Sequence, residues 1–122
     1  MSSLLALALG AIAGALLRYQ ATLWAAARFG TGFPYGTLLV NLVGSFILGF
    51  FLALATRGGV VAHPTLRLFV ATGFCGSLTT FSTLSYETVL LLTDGRLLPA
   101  LLNAAGSVVA GLLCVVLGAA LA

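Results

Sequence analysis

The residues able to do chemistry are concentrated in one stretch, Gly73-Phe74-Cys75-Gly76-Ser77-Leu78-Thr79-Thr80-Phe81-Ser82-Thr83-Leu84-Ser85, which is dense in hydroxyls and interrupted by glycine. Asn41 adds an amide upstream, and Arg18 and Glu87 place charge deep in apolar sequence. Amides and hydroxyls with few carboxylates near them donate hydrogen bonds, which suits an anion better than a cation. The edge of the Phe81 ring carries the positive part of its quadrupole and can face a small anion where a carboxylate would repel it. Carbonyls freed where glycine loosens a helix suit a hard cation instead. The stretch thus permits an anion path beside a carbonyl-bound cation. It does not name the anion.

The elements that position these residues follow from composition. The chain has 122 residues, 61% hydrophobic and 6% charged, with a mean hydropathy of +1.23. That leaves too little polar surface for a soluble domain. A membrane span takes about 20 apolar residues, so the expected fold is an all-α membrane protein of four transmembrane helices in a single domain, residues 1–122. The spans are placed at about 3–27, 37–55, 66–92 and 97–121. The apolar run that begins at Ser3 continues to Ala27, too long for a signal-peptide core. The third span contains the polar stretch and is expected to be broken mid-span near Gly73 to Thr80. Such backbone is tolerated at membrane depth only where protein or a watery cavity satisfies it.

Helical spacing sorts the remaining polar residues. Gly10 and Gly14 form a small-residue packing face on the first span, and Arg18 lies one turn beyond them. Arg18 either snorkels to the interface or lines a cationic vestibule. Asn41 shares a face with Gly44, Ser45, Leu48 and Gly49, and a membrane asparagine of this kind reads first as interhelical glue. Asn103, Gly106, Ser107, Ala110, Gly111 and Cys114 make a similar face on the fourth span. Glu87 is expected to pair with an arginine or to reach water. Cys75 and Cys114 lie inside spans as small hydrophobes and imply neither a disulfide nor a metal site. His63, in a loop beside Pro64, is assigned no chemistry.

The net charge of +3 comes from five arginines scattered singly between spans, against Glu87 and Asp94, so no nucleic-acid partner is expected. Four spans put Arg57 and Arg67 on one side and Arg28 and Arg96 on the other. Without a positive-inside bias the chain has no strong reason to choose an orientation. The expectation is insertion both ways, and pairing as an antiparallel homodimer about a two-fold axis in the membrane plane.

Gly73-Phe-Cys-Gly76-Ser-Leu-Thr79-Thr80-Phe81-Ser82-Thr83, with Gly36-Thr37, Asn41-Leu-Val-Gly44 and Gly14-Ala-Leu-Leu-Arg18-Tyr19, resembles the CrcB/Fluc family of bacterial fluoride channels. The resemblance covers all four spans. It implies a fluoride-selective channel that exports fluoride passively across the bacterial inner membrane, and no enzyme activity. It also implies a dual-topology antiparallel dimer in membrane lipid, with two pores and a central structural sodium ion that is not transported. By matching motif, Gly76 and Thr79 would offer backbone carbonyls to Na+. Asn41 and Phe81 would line the fluoride path, with Thr80, Ser82 and Thr83 as hydroxyl candidates and Ser107 as a fourth-span serine. Two positions depart from the family pattern: Leu84, where a second phenylalanine is frequent, and Asn103, where a tyrosine is frequent. Leu84 offers shape to the path but no ring edge. A small drug-export transporter is the alternative of another class. That chemistry needs a membrane carboxylate, typically in the first span, and Glu87 is the sole candidate. A non-transporting scaffold would leave the hydroxyl-rich break without a purpose.

Overall fold

A computed structural model describes residues 2–122. Among them, four helices are long and apolar enough to cross a membrane, at Ser3–Phe29, Tyr35–Ala55, Pro64–Thr93 and Leu97–Leu121. The first two are α1 (Ser3–Phe29) and α2 (Tyr35–Ala55). The third divides into α3 (residues 64–78) and α4 (Phe81–Thr93), and the fourth is α5 (Leu97–Leu121).

Backbone-to-backbone contact sets the packing. A Cβ on Gly10 or Gly14 would lie 2.2 Å from the carbonyl oxygen of Phe69 or Phe74, so only glycine lets α1 and α3 touch this closely. Gly118 presses in the same way on the Phe46 carbonyl, at 2.3 Å, and seals α5 against α2. Lipid tails are as apolar as leucine, so close packing of this kind, rather than hydrophobic burial, holds membrane helices together. Many leucines and valines accordingly point outward, Leu112, Leu113 and Val116 among them. Two segments, Leu68–Cys75 in α3 and Leu102–Gly106 in α5, wind as wide π turns. Hydropathy does not register such turns, because they conserve the apolar run while rotating the residues beyond them.

The break in the third span is narrower than the glycine-rich run suggests. Gly73 and Gly76 are helical, and only Thr79 (φ −84°, ψ 155°) and Thr80 (φ −150°, ψ 115°) leave the helix for extended backbone. Gly73 serves packing instead, since a Cβ there would lie 2.7 Å from the Leu7 carbonyl oxygen.

The two ends of the bundle are fixed by their turns. Arg96 Nη1 donates to the Gly32 carbonyl, which ties the turn after α1 to the turn after α4. Arg28 and Arg96 therefore share one end. At the opposite end Ala6 of α1 and residues 59–66 line a common apolar cavity, which places the loop between Arg57 and Arg67 there. His63 does have a task in that loop: its Nδ1 accepts the Thr65 amide at 3.1 Å and caps the helix that Pro64 opens.

Candidate functional site

The break is held open by one side chain. Asn41 Oδ1 accepts the Thr80 amide at 2.7 Å, and Asn41 Nδ2 donates to the Thr80 carbonyl at 3.3 Å. A carboxamide matches both groups of an extended residue as a neighbouring strand would. The glue expected of a membrane asparagine is therefore aimed at backbone, 39 positions along the chain.

Carbonyls ahead of the break lose their usual partners as a result, two of them because a side chain takes their amide. In an unbroken helix the Thr80 amide would return to the Gly76 carbonyl, and the Thr83 amide to the Thr79 carbonyl. Asn41 takes the first, and Thr80 Oγ1 takes the second at 3.2 Å as the N-cap of α4. The break sets the negative end of α3 beside the positive end of α4. Carbonyl oxygens gather on one side, and the first amides of α4 are left without helical acceptors on the other.

The hydroxyls divide by whether their protons are already used. Thr22, Thr79, Ser85 and Thr88 each donate to the carbonyl four residues earlier and have no proton left over. Thr80 Oγ1 donates to Thr83 Oγ1 at 3.0 Å and lies 3.3 Å from Ser82 Oγ. Thr83 receives a proton in that bond and keeps its own. The cluster at the start of α4 is thus a donor set, the property an anion needs.

Two cavities flank the Asn41–Thr80 clasp. One of about 410 Å³ is lined by Asn41, Gly76, Thr79, Thr80, Phe81, Leu84 and Ser107. The other, of about 290 Å³, is lined by Arg18, Thr37, Thr80, Thr83 and Glu87. Thr80 belongs to both, although it is only 8% exposed. Of the ion-path, vestibule and cation residues the resemblance implies, Ser82 alone lines neither cavity, being exposed on α4 and joined to the rest through Thr80.

Arg18 and Glu87 line the same cavity without forming an ion pair. Glu87 Oε1 is buried and has no hydrogen-bond partner among the described residues. Glu87 also lines a third cavity, of about 260 Å³, with Thr22, Thr37, Asp94 and Arg96. It therefore stands between the bundle end and the hydroxyl cluster.

The Phe81 ring projects out of the protomer, 80% exposed. Leu84, one turn on, is buried in the same cavity wall. Asn103 is wholly buried and bonds to Thr88, a role that helical spacing alone does not assign to it. The visible signal is its repeat of the Asn41-x-x-Gly44-Ser45 pattern in Asn103-x-x-Gly106-Ser107.

With this geometry in hand, comparison with known proteins decides the family. The profile described as CrcB-like protein, Camphor Resistance (CrcB), matches residues 5–119. The chain belongs to the CrcB-like family. A relative from Chloroflexus aurantiacus, named fluoride-specific ion channel FluC, is 48% identical over 99% of this chain and 95% of its own length. A relative of the same name from Trichormus variabilis is 47% identical over 93% of this chain and 83% of its own. Another, from a Sulfurihydrogenibium species, is 50% identical over 86% and 84%. The CrcB-like chain is accordingly a multi-pass membrane protein of an ion-channel family and not an enzyme. Its Asn41, Thr80 and Phe81 sit together at one break, and Gly76 and Thr79 sit at the carbonyl side of that break.

Proposed function

We propose that this CrcB-like protein is a fluoride-selective channel that lets fluoride leave the cell passively across the bacterial inner membrane. The observation that carries the reading is the Asn41–Thr80 clasp, which gathers unspent hydroxyl protons, the first amides of α4 and the Phe81 ring at one place. Likeness to fluoride-specific ion channels over nearly the whole chain supports the choice of anion. Fluoride is small and strongly hydrated, so a path must replace its water with donors. Asn41, Thr80, Thr83 and Ser107 supply polar contacts, Ser82 tunes Thr80, and Phe81 offers a ring edge. Leu84 shapes the wall, while Arg18 draws anions into the vestibule and Glu87 borders it. Proteoliposomes loaded with fluoride should empty within seconds to minutes once a potassium ionophore removes the charge barrier. Vesicles that retain their fluoride would remove the reading.

The functional unit is an antiparallel homodimer. Two arginines lie at each end of the bundle, which leaves no charge bias to orient it. A ring as exposed as Phe81, at membrane depth and beside polar groups, also suits a surface that a second copy covers. Single cysteines placed in the 28–35 turn should react with an impermeant thiol reagent from both sides of the membrane. Reaction from one side only would exclude dual orientation.

A structural Na+ fits between the two copies. The Gly76 and Thr79 carbonyls are among the acceptors whose helical amides have been diverted, and carbonyl oxygens are the donor type a hard cation takes. The ion would neutralise the negative end of α3 and fix the break. Exchange into sodium-free medium with N-methylglucamine as the cation should lower flux and loosen the dimer, with recovery on adding Na+. Unchanged flux after exhaustive exchange would count against the site.

A further inference from the structure

The bundle end that carries Arg57 and Arg67 contains an apolar groove of about 1000 Å³, open rather than enclosed. Gly10 of α1 presses on the Phe69 carbonyl, and the groove lies beside that contact, lined by Ala6, one turn before Gly10, and by Leu66 and Phe69 of α3. Val60 and His63 line it from the loop between α2 and α3. It shares no lining residue with the two cavities at the clasp, so its occupant is not the ion.

Two properties of this end say what fills it. The first is apolar exposure. Val60 is 81% exposed in the loop, and Leu4 is almost as exposed on the first turn of α1. Exposed apolar surface of this kind marks a membrane contact, and water in so apolar a groove would find few groups to bond. The second is charge. Arg57 and Arg67 are exposed, one just before and one within the 59–69 segment that supplies most of the groove's wall. The chain has two carboxylates, Glu87 and Asp94, and both line the cavity with Arg96 at the other end. The groove end is therefore basic with no acid to offset it. His63 adds a donor, since its Nδ1 accepts the Thr65 amide and its ring proton stands on Nε2.

We propose that this groove seats an acyl chain of an anionic membrane phospholipid, with Arg57 and Arg67 drawing its phosphate to the rim. An apolar groove alone would admit the chain of any lipid, so the discrimination comes from the arginines. Basic residues at the end of a span recognise anionic headgroups in this way. A phosphatidylcholine also brings a phosphate, but its own ammonium competes for it and offsets the attraction. A dimer built over the exposed Phe81 ring leaves the groove free, because Phe81 and the break belong to a different cavity. The proposal needs a membrane-spanning chain and does not rest on fluoride conduction.

Bromine on a lipid chain quenches a tryptophan that it touches, so quenching reads the occupant of a chosen place. Trp24→Phe removes the sole tryptophan, and Val60→Trp sets a new one at the groove. The full chain is placed in phosphatidylcholine vesicles that contain a rising fraction of brominated phosphatidylglycerol or, in parallel, brominated phosphatidylcholine. Phosphatidylglycerol should quench with the higher apparent affinity, by about fivefold for each of the two arginines. Arg57→Gln and Arg67→Gln should each lower that preference about fivefold, and the double variant should quench equally with both lipids. Arg28→Gln, at the other end, should leave the preference unchanged. Equal quenching of Val60→Trp by the two lipids overturns the proposal, as does a preference that survives the double variant or disappears in Arg28→Gln. Quenching by neither lipid also overturns it and shows that a second copy covers the groove. If Val60→Trp does not assemble, native mass spectrometry of the unaltered protein decides. Phosphatidylglycerol should stay bound at collision energies that strip phosphatidylcholine, and loss of both lipids together contradicts the site.

Discussion

Replacing Asn41 with leucine is expected to abolish fluoride flux, by about a hundredfold or more, and to destabilise the protein measurably. Leucine has a similar size but leaves the Thr80 amide and carbonyl without their partners. A buried unsatisfied backbone group costs about 1–3 kcal/mol. The cheapest relief is for the Thr80 amide to return to the Gly76 carbonyl, which closes the break and straightens the third span. Both proposed ion sites would then be lost together. Asn41→Asp separates these effects. Its carboxylate still accepts the Thr80 amide, so the break should persist, but it sets negative charge beside the anion path and flux should fail. Efflux assays paired with thermal unfolding in detergent check both variants. Leucine-variant flux near that of the unaltered protein would show that the clasp is not required.

Phe81→Ile should lower flux about a hundredfold while leaving the assembled protein intact. The two halves of this expectation have separate causes. The Phe81 side chain is 80% exposed within one protomer, so the fold of each copy does not depend on it, and isoleucine keeps an apolar group of similar bulk for the second copy to cover. Isoleucine fills much of the same space but has no quadrupole, so the positive edge available to an anion disappears. Chromatographic size and melting temperature should stay near those of the parent as efflux collapses. Normal efflux would remove Phe81 from the pathway, and a collapse of assembly would make it a packing residue.

The fold was legible in the sequence to the extent that hydropathy dictates it. Apolar runs of span length with few charges leave helices as the only way to satisfy the backbone in lipid, and the short polar turns between them mark the ends. The small-residue face of Gly10 and Gly14 was equally visible, because close approach of helices demands it.

The interior of the site was less legible, for reasons of distance and winding. The glycines at 73 and 76 suggested a long interruption, whereas the opening is set by a partner 39 residues away that takes up the amide of Thr80. Local composition cannot reveal such a bond. Simple α spacing does not include the π turns at Leu102–Gly106, so it grouped Asn103 with Gly111 and Cys114 when its side chain faces Thr88. Glu87 shows the same limit: sequence allowed either an arginine partner or contact with water, and only the fold shows it lining two cavities with no ion pair to Arg18.

The most direct measurement tracks fluoride and chloride together. Proteoliposomes loaded with equal concentrations of both anions, diluted into anion-poor medium and treated with a potassium ionophore, are read by two ion-selective electrodes. A path that replaces hydration with hydroxyl protons, amides and a ring edge should drain fluoride while chloride stays at the level of protein-free vesicles. Chloride leaving at a comparable rate, or fluoride leaving no faster than from protein-free vesicles, would contradict it.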